Sequence, residues 1–280
     1  MTYENIIYEK RGRIARLTLN RPEALNALSN ALLDDVVAAL NEAEQDSEVR
    51  VIIIKGAGRA FSTGYDIEPE KPGGYSAAPT LDDLAYLQGI DRKITTIWNL
   101  RKPVIAQVHG YCVAGGNDLA GQCDIIIAAE NAIFMQPQIR RLGLTWMHMF
   151  PYKCGAQWAK ILMFTGDPIT GKEAERIGIV AKAVPEEKLE EEVNKLAERI
   201  TLVAPELLAM NKAAINRVFE EMGVRNAFNA SVLLDTIVHT TKPVQDFLRM
   251  AKEKGLKAAL AENEAPFKTL PRPFEEKPNP

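Results

Sequence analysis

The chain has 280 residues, 46% of them apolar and 25% charged, and a formal net charge of −3. That length can bury one substantial core, and the mild negative charge provides no bulk attraction to nucleic acid or to an anionic membrane. No run approaches the ~20 apolar residues that span a bilayer, and MTYENIIYEK lacks the basic and apolar stretches of a secretory signal. A cytoplasmic, soluble protein is therefore expected.

Residues 5–9 and 13–20 read as two strands joined by a turn at Arg11-Gly12. NRPEALNALS leads into a helix with Ser29 as its N-cap and Leu32, Leu33, Val36, Val37 and Leu40 as one apolar stripe. VIIIKG (51–56) has the continuous apolar character of a buried parallel strand, and the small-residue loop AGRAFSTGYDI follows it. Residues 68–79 gather Pro, Gly and polar side chains and predict a mobile surface loop. A helix is expected over 81–99, with Leu84, Leu87, Ile94 and Ile97 turned inward. VIAQVHG (104–110) and DIIIAA (124–129) predict two more buried strands, and Gly115-Gly116 opens a helix between them.

From about residue 185 onward, four helical segments follow one another with no strand between them. The fold class is thus α/β with a helical C-terminal part. The expected division is a core over 1–200, a helical segment over 201–268 and an irregular Pro-rich tail over 269–280.

Chemistry is expected at two strand-to-loop junctions, AFSTGYD (60–66) and HGYCVAGGNDLAGQCD (109–124). Gly-rich turns that open a helix leave backbone N–H groups unpaired at its positive end. Such groups can bind a phosphate or a carbonyl oxygen that becomes negative during a reaction. Neither junction matches a nucleotide-binding glycine pattern. Cys112, Cys123 and Cys154 have no metal-ligand spacing, and buried thiols are expected.

The segments LNRPEALNAL (19–28), FSTGYDI (61–67), KPVIAQVHGYCVAGGNDLAGQCDIIIAAENAIF (102–134) and FTGDPITGKEAERIGIVAKAV (164–184) occur in one order. Over about residues 5–268 the sequence resembles the crotonase, or enoyl-CoA hydratase/isomerase, superfamily. The resemblance implies a spiral of ββα units, a helical C-terminal oligomerisation segment, and a homotrimer or dimer of trimers. It implies an acyl-CoA substrate, with coenzyme A as part of that substrate rather than a separate cofactor, and no metal. The backbone N–H groups of Tyr65 and Gly115 would form an oxyanion hole, with Ala114 replacing the first glycine of a GGG-type run. Ala60, Ser62, Asp66 and Ile67, from the loop that carries Tyr65, would hold the coenzyme.

The departures bear on the reaction. Where hydratases of the family place two glutamates, this chain has Asp118 and, in Gln136-Pro137-Gln138, an amide. The helix dipole would favour Asp118 as an anion and hence as a base, whereas Gln138 can orient water but cannot transfer a proton. The loop IRRLGLTWMHMFPYK lacks the family's glycine-rich stretch. Its His148 either replaces the missing acid/base or is structural between Met147 and Met149. His109 reads as structural, and Asp235 with His239 as a local i, i+4 pair rather than a site. Arg21, Arg59 and Lys71 are candidate phosphate contacts, while Ala259 and Glu262 stand where the family often has an aromatic and a lysine. Three readings remain: an enoyl-CoA hydratase or isomerase, a carbon–carbon hydrolase of a cyclic β-diketone, and a non-catalytic acyl-CoA-binding protein.

Overall fold

The computed structural model describes residues 2–67, 80–144 and 149–273. The surface loop expected over 68–79, Lys71 and His148 lie outside the described residues.

The chain begins with the hairpin β1 (Ile6–Arg11) and β2 (Ile14–Leu19), which turns one position later than expected, at Gly12-Arg13. Helix α1 (Asn30–Gln45) follows, and the Ser29 hydroxyl oxygen accepts from Leu32 N–H at 3.2 Å, as an N-cap should. The next units repeat one pattern. Strand β3 (Val51–Gly56) is followed by the short β4 (Ala60–Ser62) and by helices α2 (Thr80–Ile94) and α3 (Thr96–Asn99). Strand β5 (Val104–Val108) is followed by β6 (Tyr111–Val113) and α4 (Gly115–Gln122). Strand β7 (Ile125–Ala129) is followed by β8 (Ile133–Met135) and α5 (Phe150–Thr165), with Gly155 at φ +74° marking a kink in α5.

Long and short strands segregate. The long ones build a six-stranded sheet in the order β1-β2-β3-β5-β7-β10, where β10 is Lys182–Val184; only its first pairing is antiparallel. The short ones build a second sheet, β4-β6-β8-β9, with β9 at Ile169–Thr170. Each unit thus gives a strand to each sheet and then a helix, which is a spiral of ββα units. Strands β2, β3 and β5 are almost entirely buried, in keeping with their continuous apolar runs. Helices α6 (Gly171–Arg176) and α7 (Glu186–Ile200) complete the core, and α7 packs on β3, β5 and β7.

The C-terminal part is α8 (Pro205–Glu221), α9 (Val224–His239), α10 (Lys242–Lys254) and α11 (Leu256–Glu264). The last of these was not expected, because LKAALAENE is too short and too weakly patterned to announce itself. One buried cation ties α8 to the core: Lys212 Nζ donates to Asp124 Oδ2 at 2.8 Å and to the carbonyls of Ile97 and Lys102. A row of large apolar side chains on α8 and α9, including Leu207, Met210, Val218, Leu233, Leu234 and Ile237, is exposed in the isolated chain.

Candidate active site

The first wall is built from the segment after β2. Asn26 is completely buried, and its Nδ2 donates to the carbonyls of Ala57 (2.9 Å) and Ala60 (2.8 Å). Its own carbonyl accepts from Ser62 Oγ at 2.8 Å. The NRPEALNAL stretch is therefore the mould in which the loop 57–65 sets. Leu28 N–H donates to the Gly64 carbonyl, and Asp66 N–H donates to the Leu28 carbonyl, so Tyr65 is held between two backbone clamps.

The second wall is the β6–α4 junction. Asn117 Nδ2 donates to the carbonyls of Cys112 and Met135, at 2.9 and 2.8 Å, and pins the start of α4 to β8. Ala114 adopts φ +48° and ψ −120°, a conformation that glycine takes without cost and that strains an L-residue. Gly115 is the first residue of α4, so its N–H has no acceptor within the helix. The two walls touch. A Cβ on Gly116 would stand 2.4 Å from the Ser62 carbonyl oxygen, and one on Gly115 would stand 2.7 Å from the Tyr65 ring. Glycine at both positions is what lets the loops meet.

Asp118 lies one turn farther along α4, only 3% exposed, and accepts a hydrogen bond from the Tyr65 hydroxyl at 3.1 Å. Burial pushes its carboxyl well above the usual range, against the opposing effect of the Tyr65 bond, and the charge of Asp235 adds to the rise. Desolvation in an interior helix thus works against the expected dipole-stabilised anion and favours the neutral carboxyl. Burial and the neighbouring Asp118 likewise raise the Tyr65 phenol, which stays a neutral donor.

A cavity of about 520 Å³ opens between these walls, lined by Tyr65, Asp66, Ile67, Gly115, Asp118 and Gln138 among others. Asp66 also pairs with Arg21 at 3.0 Å, so the charge of this candidate phosphate contact is already balanced. Gln138 sits on the short 3-10 turn Pro137–Arg140, where its Nε2 donates to Gln136 Oε1 at 2.8 Å. Ala60 and Ser62 do not line the cavity. Both are fully buried in β4, and the Ser62 hydroxyl is engaged with Asn26 and with Gly64 N–H. His109 is outside the cavity too, its Nε2 at 2.9 Å from the Gly58 carbonyl. Ala259 is buried, and Glu262 pairs with Lys254 at 3.3 Å.

The far wall holds groups that the sequence had not marked as a site. Asp235 and His239 of α9 line the cavity, together with Gly143 and Leu144. His239 Nδ1 lies 2.7 Å from Asp83 Oδ2 of α2, and its Nε2 lies 3.5 Å from Asp235 Oδ1. Asp235 Oδ1 accepts from Leu144 N–H at 2.6 Å. Burial pushes Asp235 up to about 6, against the pull of His239 and the Leu144 bond. Burial alone would lower His239, but the Asp83 hydrogen bond and the charges of Asp235 and Asp83 raise it overall. The signal was present in the sequence. Val224, Phe228, Val232, Asp235 and His239 share the buried face of α9, and Asp83, Leu87, Ile90 and Ile94 share that of α2. Charged residues in the inward phase of a helix need a partner or a purpose.

Among the described residues no helix is long and apolar enough to cross a membrane, and no group of three or more His, Cys, Asp or Glu is placed to hold a metal ion. All three cysteines are free.

Residues 9–259 match the family model for enoyl-CoA hydratase/isomerase. A probable mitochondrial enoyl-CoA hydratase of Dictyostelium discoideum is 40% identical over 216 residues, covering 76% of this chain and 75% of that protein. The mitochondrial enoyl-CoA hydratase of Pongo abelii is 33% identical over 276 residues, covering 95% and 88%. The crystal structure of an enoyl-CoA hydratase/isomerase from Xanthobacter autotrophicus Py2 superposes with a TM-score of 0.88 at 33% identity, covering 97% of this chain and 100% of that one. With the ββα spiral, these matches show that the chain belongs to the enoyl-CoA hydratase/isomerase family of the crotonase superfamily and is an enzyme of that family.

Proposed function

We propose that the protein binds an acyl-CoA thioester, holds its carbonyl oxygen between the backbone N–H groups of Tyr65 and Gly115, and moves a proton at the adjacent carbon through Asp118. The observation that carries this reading is the meeting of two loops on one cavity wall, with a buried carboxyl one helical turn behind them. A thioester carbonyl becomes strongly basic as an enolate forms. Two preorganised donors favour that charge over the neutral ground state by several kcal/mol, about 3–4 for one such donor elsewhere. Burial favours the neutral form of Asp118, so in this reading it gives a proton to the α-carbon of the enolate rather than taking one. Gln138 orients a water or the thioester.

Hydration of a 2-enoyl thioester is the reaction that the named relatives point to. The reading needs no separate cofactor, since coenzyme A arrives and leaves with the acyl group. The alternative of β-diketone hydrolysis leaned on His148 and has no support among the described residues. A purely binding role leaves the Tyr65–Asp118 pair at the cavity wall without a task. We further assign the exposed apolar row on α8 and α9 to a homotrimer or dimer of trimers, and the three free thiols to a reducing, cytoplasmic setting.

The test is consumption of crotonyl-CoA, followed as loss of the enoyl absorbance, with acetoacetyl-CoA binding measured alongside. Asp118→Asn should lower turnover by about 100-fold or more while leaving acetoacetyl-CoA affinity within a few-fold. Unchanged turnover in Asp118→Asn would remove Asp118 from the chemistry.

A further inference from the structure

Hydration needs two proton-transfer groups, one to take a proton from water and one to give a proton to the α-carbon, and with an amide at position 138 Asp118 can fill only one of these roles. Water adds to the β-carbon only if something accepts its proton. Gln138 cannot, and Asp118, assigned above to deliver a proton to the α-carbon, is not free to accept one in the same step.

The far wall offers what is missing. Two helices distant in sequence converge there: α2 contributes Asp83, and α9 contributes Asp235 and His239. The contacts form a chain, Asp83 Oδ2 to His239 Nδ1 at 2.7 Å and His239 Nε2 to Asp235 Oδ1 at 3.5 Å, with Leu144 N–H holding Asp235 at 2.6 Å. Gly143 makes room for it. A Cβ there would stand 2.7 Å from Asp235 Oδ1 and 3.0 Å from His239 Nε2, so any larger residue would displace both. All three side chains are buried, with Asp83 and Asp235 only 4% exposed in their side chains and His239 11%. Asp235 and His239 reach the cavity that also holds Asp118 and Gln138, with Asp83 behind them.

We propose that Asp235, backed by His239, is the base of this active site, and that Asp83 is the positioning residue that holds His239 in place. The inference deepens the thioester reading above and rests on it. In the step it assigns, the water oxygen bonds to the β-carbon while one O–H bond breaks and its proton passes to Asp235. The π electrons of the C=C bond shift onto the thioester oxygen, held by the two N–H groups. The enolate then takes the proton of Asp118 at its α-carbon. Asp118 ends as the anion and Asp235 neutral, and one proton returned from Asp235 to Asp118 through solvent resets the pair. Environments that push two carboxyls apart in acidity mark such a division of roles. Asp118 is held well above the usual range, whereas Asp235 at about 6 is ionised at neutral pH.

The charged and titratable groups around Asp235, among the described residues, are His239 on its own helix, Asp83 on α2, Asp118 on α4 and the Tyr65 phenol. Of these, His239 is the one that lowers Asp235. The rate–pH profile should therefore rise with pH through a limb near 6, and removing the imidazolium should move that limb to higher pH.

The experiment compares wild type, Asp235→Asn, His239→Gln and Asp83→Asn in crotonyl-CoA hydration from pH 5 to 8.5, with acetoacetyl-CoA affinity and thermal unfolding as controls on folding. Asp235→Asn, which keeps an acceptor for Leu144 N–H, should lose about 100-fold or more in turnover at nearly unchanged affinity. His239→Gln should shift the acidic limb upward. Because the chain has only three histidines, the His239 ring proton can be followed by NMR, and its titration should move to lower pH in Asp83→Asn. Folded variants of Asp235 and His239 with turnover within about threefold of an active wild type, or an unmoved limb in His239→Gln, would overturn the assignment and leave the thioester reading standing. A wild type that neither hydrates crotonyl-CoA nor binds acetoacetyl-CoA would overturn the thioester reading, and this one with it.

Discussion

Stability offers a view of Asp235 that needs no substrate. Its carboxyl is raised from 3.8 to about 6 in the folded chain, chiefly by burial. The folded state therefore holds the proton more tightly than the unfolded state. The neutral side chain contributes its full stability below about pH 4 and loses it progressively as pH rises to about 6. A shift of about two units at about 1.4 kcal/mol each is about 3 kcal/mol, and with the side chain 4% exposed, solvent screening removes little of it. Asparagine has nearly the same shape and no proton to lose. Asp235→Asn should match wild type near pH 4 and exceed it above pH 6 by about 3 kcal/mol. The assay is urea unfolding at fixed protein concentration in steps from pH 4 to 6.5, reading the difference between the two proteins so that titrations not coupled to Asp235 cancel. His239, raised from its ordinary value, titrates above that window. A difference that stays flat from pH 4 to 6 would show that Asp235 ionises normally, and the division of roles between the two carboxyls would fall with it.

Two further outcomes are expected. Ala114→Gly should stabilise the chain by about 1 kcal/mol or more, because φ +48° with ψ −120° strains alanine and not glycine; an unchanged urea midpoint at unchanged slope would contradict that. Leu234→Glu places a charge in the exposed apolar row of α9 and should convert a trimer or hexamer to monomer in light scattering, whereas an unaltered mass would move the subunit contact elsewhere.

The sequence showed the main sheet because β2, β3 and β5 are covered on both faces, and only continuous apolar runs survive there. It did not show the second sheet, whose strands AFS, YCV, IFM and IT are too short for any periodicity to register. The single helix expected over 81–99 is two, divided at Thr95. The stretch 139–153 reads as loop, yet α5 starts at Phe150 with Pro151 in its first turn, where its missing N–H costs nothing. The structure places Tyr65, Gly115 and Asp118 on one cavity, but acidity is not a property of a motif. A carboxylate in the first turn of an exposed helix is an anion. In α4, where all eight residues are buried, desolvation opposes that charge.

The same physics explains why the far wall escaped notice. Asp235 and His239 at i, i+4 look like any surface pair when the helix is drawn alone, and Asp83 is 152 residues before Asp235. What makes them a unit is burial, which forbids an uncompensated charge, combined with packing of α2 against α9, which supplies the partner. A buried ion pair is a poor source of stability, since desolvation consumes most of the attraction. A buried carboxyl and imidazole on the wall of a cavity, with a second carboxyl behind them, are therefore better explained by what they do there than by what they hold together. The amide Gln138 and the carboxyl of Asp235 line one cavity, so the proposed base stands on the C-terminal helix α9, facing the site from the wall opposite the core.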